Sequence, residues 1–231
     1  MHIEGRLADA SNLTLLCRLG GDQGPPCIYK PVTGERPLWD FPDGTLAGRE
    51  VATYLISDAL ELDLVPLTVL REGPLGIGMV QEWIETREDV EMVQLMRSAD
   101  GDISLSHSDH PSLRLMSLFD VLVNNADRKG SHVLVSASGE VLGIDHGLCL
   151  HSELKLRTVL WGWAGEELDA PERALVRDLR NSLTGDLGDS LAAHITDFEI
   201  EALDTRGARL LSEGCFPSPS NRGPAIPWPP V

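Results

Sequence analysis

Asn124-Asn125-Ala126-Asp127-Arg128-Lys129-Gly130-Ser131-His132-Val133-Leu134-Val135, then Ser136-Ala137-Ser138-Gly139-Glu140, then Val141-Leu142-Gly143-Ile144-Asp145-His146-Gly147, is the stretch that decides the fold of this 231-residue chain. Its two apolar, β-branched runs, His132–Val135 and Val141–Ile144, flank a Ser/Gly turn, and that pattern predicts a hairpin. A hairpin brings its two ends together. Asp127 precedes the first strand and Asp145 follows the second, so the two carboxylates are expected on one side of one small sheet.

Two carboxylates so placed suit phosphoryl transfer, where one orients the attacking hydroxyl and the other holds Mg2+. Asn125-Ala126-Asp127-Arg128 is similar to the Asp-Arg-His…Asn signature of phosphatidylinositol 3- and 4-kinases and of HipA-type serine kinases. Asp145-His146-Gly147 resembles their metal-binding Asp-Phe-Gly. Over roughly residues 1–210 the chain resembles the small actinobacterial phosphatidylinositol 3/4-kinase-like family of the atypical kinase superfamily, with the specificity in the paired loops. The resemblance implies a two-lobed α+β protein-kinase-like fold of reduced size. It also implies an ATP-dependent kinase using Mg2+ or Mn2+ and an unknown phosphoacceptor, a protein Ser/Thr or a small molecule. Two positions depart from the pattern: Lys129 replaces the usual His, and His132 replaces the second, metal-binding Asn.

The same resemblance distributes the roles. Asp127 takes the base position, Arg128 braces the loop or meets a phosphate, and Lys129 neutralises charge on the transferred group. Asp145 holds the metal. Imidazole suits Mn2+ or Zn2+ better than Mg2+, so His132 implies one metal, a preference for Mn2+, or a phosphate contact, and a core histidine is the alternative. Ser11 and Asn12, in the loop between the first two strands, lie over the phosphates or simply make a turn. Lys30 ends a short apolar strand and corresponds to the lysine that contacts the α/β-phosphates and pairs with a helix carboxylate. Glu50 is the candidate partner, with a favourable place in the helix dipole as its other reading. Gln81-Glu82-Trp83-Ile84 falls at the hinge whose backbone would bond adenine. Other readings of the chain are a pseudokinase, a nucleotide-binding regulatory module with little turnover, and nucleotidyl transfer.

The length suits one large domain or two small lobes sharing a cleft. Apolar residues make up 42% of the chain, and the net charge of −17 disfavours nucleic acid and anionic membrane as partners. No apolar run approaches a membrane span, and the N-terminus does not read as a signal peptide. Cys17, Cys27, Cys149 and Cys215 form no Cys-x-x-Cys pair, which points to reduced thiols and a cytoplasmic setting.

The remaining elements follow from periodicity. Strands are expected at 5–7, 13–19, 27–30, 65–70 and 76–80, and an amphipathic helix at 48–60. A short helix is expected near Val90–Met96, with His107 and His110 in an exposed loop. Helices follow at Ser112–Val123, from Asp169 to Leu183, and at Asp197–Ser212. Lys155 and Arg157 lie in the activation-loop position, either meeting an acidic substrate or forming surface ion pairs. The expected division is a β-rich lobe at 1–80, a helical lobe at 81–213, and a proline-rich tail at 214–231, extended or disordered.

Overall fold

The computed structural model describes residues 1–7, 12–87, 89–97, 103–220 and 223–230. It has a two-lobed α+β kinase-like fold. Five antiparallel strands, β1 (His2–Arg6), β2 (Leu15–Arg18), β3 (Pro26–Pro31), β4 (Thr68–Gly73) and β5 (Gly76–Glu82), form the small-lobe sheet in the order β1-β2-β3-β5-β4. Its register places Lys30 opposite Met79. Strand β3 alternates strictly between buried and half-buried positions. Tyr29 therefore packs into a small cluster with Leu15, Cys17, Cys27 and Val80, while Lys30 faces the opposite side of the sheet.

Helix α1 (Leu46–Ala59) joins the lobes. Thr45 caps it, its hydroxyl accepting from the Gly48 amide, so the helix starts two residues earlier than its apolar spacing suggested. Ala47 and Val51 pack on Met79 beneath the sheet, while Ala52 and Ile56 belong to the large-lobe core. That core is built on α2 (Pro111–Val123), α3 (Ala170–Ser182), α4 (Asp186–Leu191) and α5 (Asp197–Glu213). Capping boxes open two of these helices, Asp169 with Glu172 on α3 and Thr196 with Glu199 on α5. No helix among the described residues is long and apolar enough to cross a membrane.

Three sequence expectations are corrected. Val93–Arg97 is a strand, β6, paired antiparallel with β7 (Ile103–His107), not a short helix. The polar stretch Ser98-Ala99-Asp100-Gly101-Asp102 between them and the alternation Ile103-Ser104-Leu105-Ser106 are hairpin signals that outweigh a weak helical spacing. His107 and His110 are half-buried and partnered: His107 Nε2 accepts from the Gly162 amide, and His110 Nδ1 accepts from Ser112 at the start of α2. The tail also differs. Its described residues are docked on the large lobe, with Phe216, Pro227 and Pro230 buried.

Candidate active site

The predicted hairpin is present as β8 (Val133–Val135) and β9 (Val141–Gly143). Beyond its open end the Ile144 amide still donates to the His132 carbonyl, so the chain stays paired up to Asp145. Asp145 has a φ of 59°, a left-handed conformation unusual for a residue with a side chain. The catalytic-loop position is tied to the segment after Asp145, because the Ala126 amide donates to the Leu148 carbonyl.

Lys30 Nζ lies 2.5 Å from Glu50 Oε1 and 2.7 Å from Asp145 Oδ1. The other Glu50 oxygen accepts from the His146 amide at 3.0 Å. Burial alone would pull the Lys30 ammonium down, but the carboxylates of Asp145 and Glu50 outweigh it and hold it up. Lys30 in turn holds Asp145 well below the usual carboxylate range, against a desolvation that pushes the other way. The Asp145 side chain keeps 45% of its surface exposed, so the attraction of Lys30 is the effect that decides its state. Glu50, 2% exposed, is pushed up by burial, and Lys30 offsets this.

His132 bridges the two acids. Its Nδ1 lies 2.9 Å from the Asp127 carbonyl oxygen, and its Nε2 lies 3.4 Å from Asp145 Oδ2. A carbonyl can only accept, so Nδ1 carries the proton and Nε2 presents a lone pair. Burial pushes the imidazole down to about 4 despite the pull of Asp145, so the ring is neutral near pH 7. The Asp127 carboxylate is pushed up by burial and partly restored by Lys129, whose Nζ lies 3.2 Å from Oδ2.

Arg128 lies fully buried. Its guanidinium binds both oxygens of Asp120 on α2 and the carbonyls of His132 and Ile144, and Nη2 donates to His146 Nε2 at 2.7 Å. It fastens the loop from beneath and presents nothing to the cleft. Gly143 permits this approach, since a Cβ there would stand 3.0 Å from the guanidinium. Asn124 takes the left-handed position closing α2, and its side chain holds the His151 and Glu153 carbonyls and the Lys155 amide.

A cavity of about 270 Å³ brings Lys30, Glu50, Asp127 and Asp145 together with Asn12 and Thr14. Asn12 lines it while its side chain accepts from the Arg36 amide. Ser11 lies outside the described residues. Gln81 is buried and donates to Thr68, and Glu82 donates its amide to the Leu67 carbonyl. Neither these two nor Trp83 and Ile84 line that cavity. Among the described residues no group of three or more His, Cys, Asp or Glu side chains is set to hold a metal.

Sequence reasoning missed Asp120, His146 and the Asn124 side chain. Asp120 had a signal, being the lone acid in the otherwise apolar second half of α2. His146 and Asn124 act through contacts far apart in the chain, which no local pattern reveals.

The chain is similar to known proteins in sequence and in fold. Protein Rv2133c of Mycobacterium tuberculosis is 46% identical over 255 aligned residues, covering 99% of this chain and 91% of that protein. Among solved structures, the Helicobacter pylori proinflammatory kinase CtkA superposes with a TM-score of 0.53 at 12% identity, covering 92% of each chain. The Golgi casein kinase gives a TM-score of 0.50 at 13% identity, covering 95% of this chain and 76% of that one. These two likenesses are of fold. The family model for phosphatidylinositol 3- and 4-kinase matches residues 77–195, which carry Asp127, His132 and Asp145. The chain belongs to the phosphatidylinositol 3- and 4-kinase family, in which it resembles the actinobacterial phosphatidylinositol 3/4-kinase-like members.

Proposed function

We propose that the chain is an ATP-dependent phosphotransferase that modifies an alcohol group, on a protein serine or threonine or on a small molecule. The observation that carries this reading is Lys30 Nζ held between Glu50 and Asp145 in a cavity that also contains Asp127. A kinase site needs this combination: a fixed cation for phosphate oxygens, an ionised carboxylate for a metal, and a second carboxylate for the acceptor hydroxyl.

The donor set suits a divalent metal whose remaining ligands come from phosphate and water. Asp145 Oδ2 and His132 Nε2 face one another as two acceptors, an arrangement that a cation between them would stabilise. A divalent ion is ordinarily held in such a site by one or two protein carboxylates together with substrate phosphates, a part Asp145 would fill, and the His132 imidazole beside it suits Mn2+. A bound metal nucleotide would supply the electrophilic phosphoryl group and charge neutralisation.

The residues of the chain do the rest. Lys30 binds phosphate oxygens, and Glu50 fixes the direction of its ammonium. Asp127 orients the acceptor hydroxyl and takes its proton at the carboxylate. Lys129 neutralises charge that builds near Asp127. Arg128, anchored on Asp120, positions the loop. Residues 81–84 are assigned to adenine through their backbone, and Ser11 and Asn12 to the phosphate-covering loop. The same reading divides the chain near residues 80 and 213. The four free cysteines suit a reducing cytoplasm.

The test is ATP turnover with Mg2+ and with Mn2+, followed by intact-mass analysis of protein and acceptor. ADP with one phosphate added supports the reading, whereas AMP-adduct and pyrophosphate would indicate nucleotidyl transfer. Asp127→Asn should retain nucleotide and lower the rate by about 10²–10⁴-fold. A pseudokinase would bind nucleotide equally well in both forms and turn over in neither.

A further inference from the structure

The described residues of the proline-rich tail, 215–220 and 223–230, run along the activation segment and end on the catalytic loop. At its start, the Phe216 amide donates to the Glu166 carbonyl, and the Phe216 carbonyl accepts from Gly165. Further on, the Ala225 carbonyl accepts twice, from the Thr158 amide at 3.0 Å and from the Trp161 indole Nε1 at 2.9 Å. At its far end, the Pro230 carbonyl accepts from the Gly130 amide at 2.8 Å, three residues beyond Asp127.

The segment it covers already belongs to the site. Residues 157–159 pair in parallel with the catalytic loop: Arg128 donates to the Arg157 carbonyl, and Val159 donates to the Arg128 carbonyl. Thr158 turns its amide to the other side, where Ala225 meets it. The outer side of this segment therefore presents one backbone donor, the Thr158 amide, beside the Trp161 indole, and an extended peptide can meet both with its carbonyls. Proline-rich chain suits such an edge, because it is extended without internal hydrogen bonds and offers carbonyls to backbone and indole donors.

Phe216 anchors the start of the tail in the large-lobe core, while the described residues beyond it lie at the surface apart from the buried Pro227 and Pro230. Between it, the activation segment and α5 lies a cavity of about 650 Å³, bordered by Lys155, Arg157, Trp161, Arg206, Pro217 and Pro224. Trp228 is 78% exposed, and Ile226 is exposed as well. A structural segment of this length would fill the space beneath it. Its described residues Pro217, Ser218, Ser220, Gly223 and Pro224 border this space.

We propose that the outer edge of the activation segment is a docking groove for an extended polypeptide, and that residues 223–230 occupy it in cis as a displaceable strap. The proposal rests on the kinase reading for its consequence. A protein acceptor must displace the strap to bring its hydroxyl to Asp127, so the tail sets access to the site.

The test uses two variants of the full chain: Trp161→Phe, which removes the indole donor and keeps the ring, and a chain ending at Ser220, which keeps Phe216 in the core. Hydrogen exchange is read at the Gly130 and Thr158 amides. Phosphate transfer from ATP to dephosphorylated casein is read in parallel. Both amides should lose protection in the shortened chain, and a synthetic peptide of residues 215–230 should restore it. Transfer to casein should rise severalfold through a lower acceptor KM, with the KM for ATP unchanged, and Trp161→Phe should show a smaller change in the same direction. Loss of protection with slower transfer would make the tail a brace of the catalytic loop and overturn the strap. Unchanged protection in both variants would overturn the docking itself. If no form transfers phosphate, the kinase reading fails, while binding of the peptide to the shortened chain still decides the groove.

Discussion

Lys30 Nζ stands 2.5 Å from Glu50 Oε1, and the Glu50 side chain is only 2% exposed. The pair is a structural contact as well as the proposed phosphate-binding device. Removing one partner of a buried pair strands the other, at a cost of about 3–5 kcal/mol. Lys30 is itself 20% exposed, and Glu50 keeps its bond from the His146 amide, which places the expected cost toward the lower end. Lys30→Met should therefore lose nucleotide binding and about 3 kcal/mol of stability. Adding Glu50→Gln should recover much of the stability and none of the binding. Urea unfolding and nucleotide titration of wild type and both variants measure both effects. Equal stability of wild type and Lys30→Met would show that Glu50 does not depend on its partner.

Adjacent residues of the catalytic loop should separate stability from function. Arg128 and Asp120 are both completely buried, so Arg128→Met should strand Asp120 and cost about 3–5 kcal/mol. Lys129 is 22% exposed and pairs with an Asp127 that is 24% exposed; Lys129→Ala should change stability by less than about 1 kcal/mol. It should still lower turnover, because its charge sits beside Asp127. Thermal unfolding with a parallel rate measurement tests the contrast, and a Lys129→Ala protein with full activity would remove Lys129 from the site.

The hairpin and the order of the loops were legible because each depends on local pattern: β-branched runs, a Ser/Gly turn, and an acid at each end. Lys30 and Glu50 were legible as candidates, since a strand lysine followed by a helix acid is a familiar order. Their pairing was legible as one of two readings, because the Glu50 carboxylate has an equally good local role at a helix start, and the 2.5 Å contact is the pairing. Arg128 shows the limit most plainly. Its neighbours in sequence describe a loop, whereas its partners lie on α2, on β9's continuation and on His146. The tail was read as extended or disordered, whereas its described residues are docked on the large lobe. What places it is a set of carbonyl contacts, and carbonyls carry no sequence signature.

His146 makes the fold sensitive to acid. Arg128 donates to its Nε2, so that nitrogen must stay unprotonated, and burial beside Arg128 holds the ring well below its ordinary value. Such a histidine binds a proton more readily when unfolded, where its value is about 6.5. Its contribution to stability is complete above that value and falls as pH drops below it, by up to about 1.4 kcal/mol per pH unit. His132, His151 and His194 are shifted in the same direction and add to the slope. His146→Gln retains an acceptor for Arg128 and cannot titrate in this range. Urea unfolding between pH 7 and 5 should show a shallower loss in this variant, and parallel curves would exonerate His146.

The last prediction concerns the metal. His132 Nε2 and Asp145 Oδ2 face each other at 3.4 Å with no proton available between them near pH 7, since Nδ1 carries the ring proton and Lys30 keeps Asp145 ionised. Two facing acceptors favour a cation, and a nitrogen donor favours Mn2+ over Mg2+. Mn2+ titration in the presence of ADP, followed by electron paramagnetic resonance, should show tighter binding than Mg2+ competition allows for an all-oxygen site. His132→Asn restores an oxygen donor and should shift preference toward Mg2+, whereas His132→Ala should weaken Mn2+ and leave what Asp145 holds alone. Burial sets the pH range. An exposed histidine would lose the metal as pH falls through about 6.5, but His132, pushed down to about 4, keeps its lone pair. Mn2+ affinity should therefore stay level from pH 7 to pH 5 while the protein remains folded. Identical Mg2+ and Mn2+ dependence in wild type and both variants would leave His132 as the residue that holds the Asp127 carbonyl and nothing more.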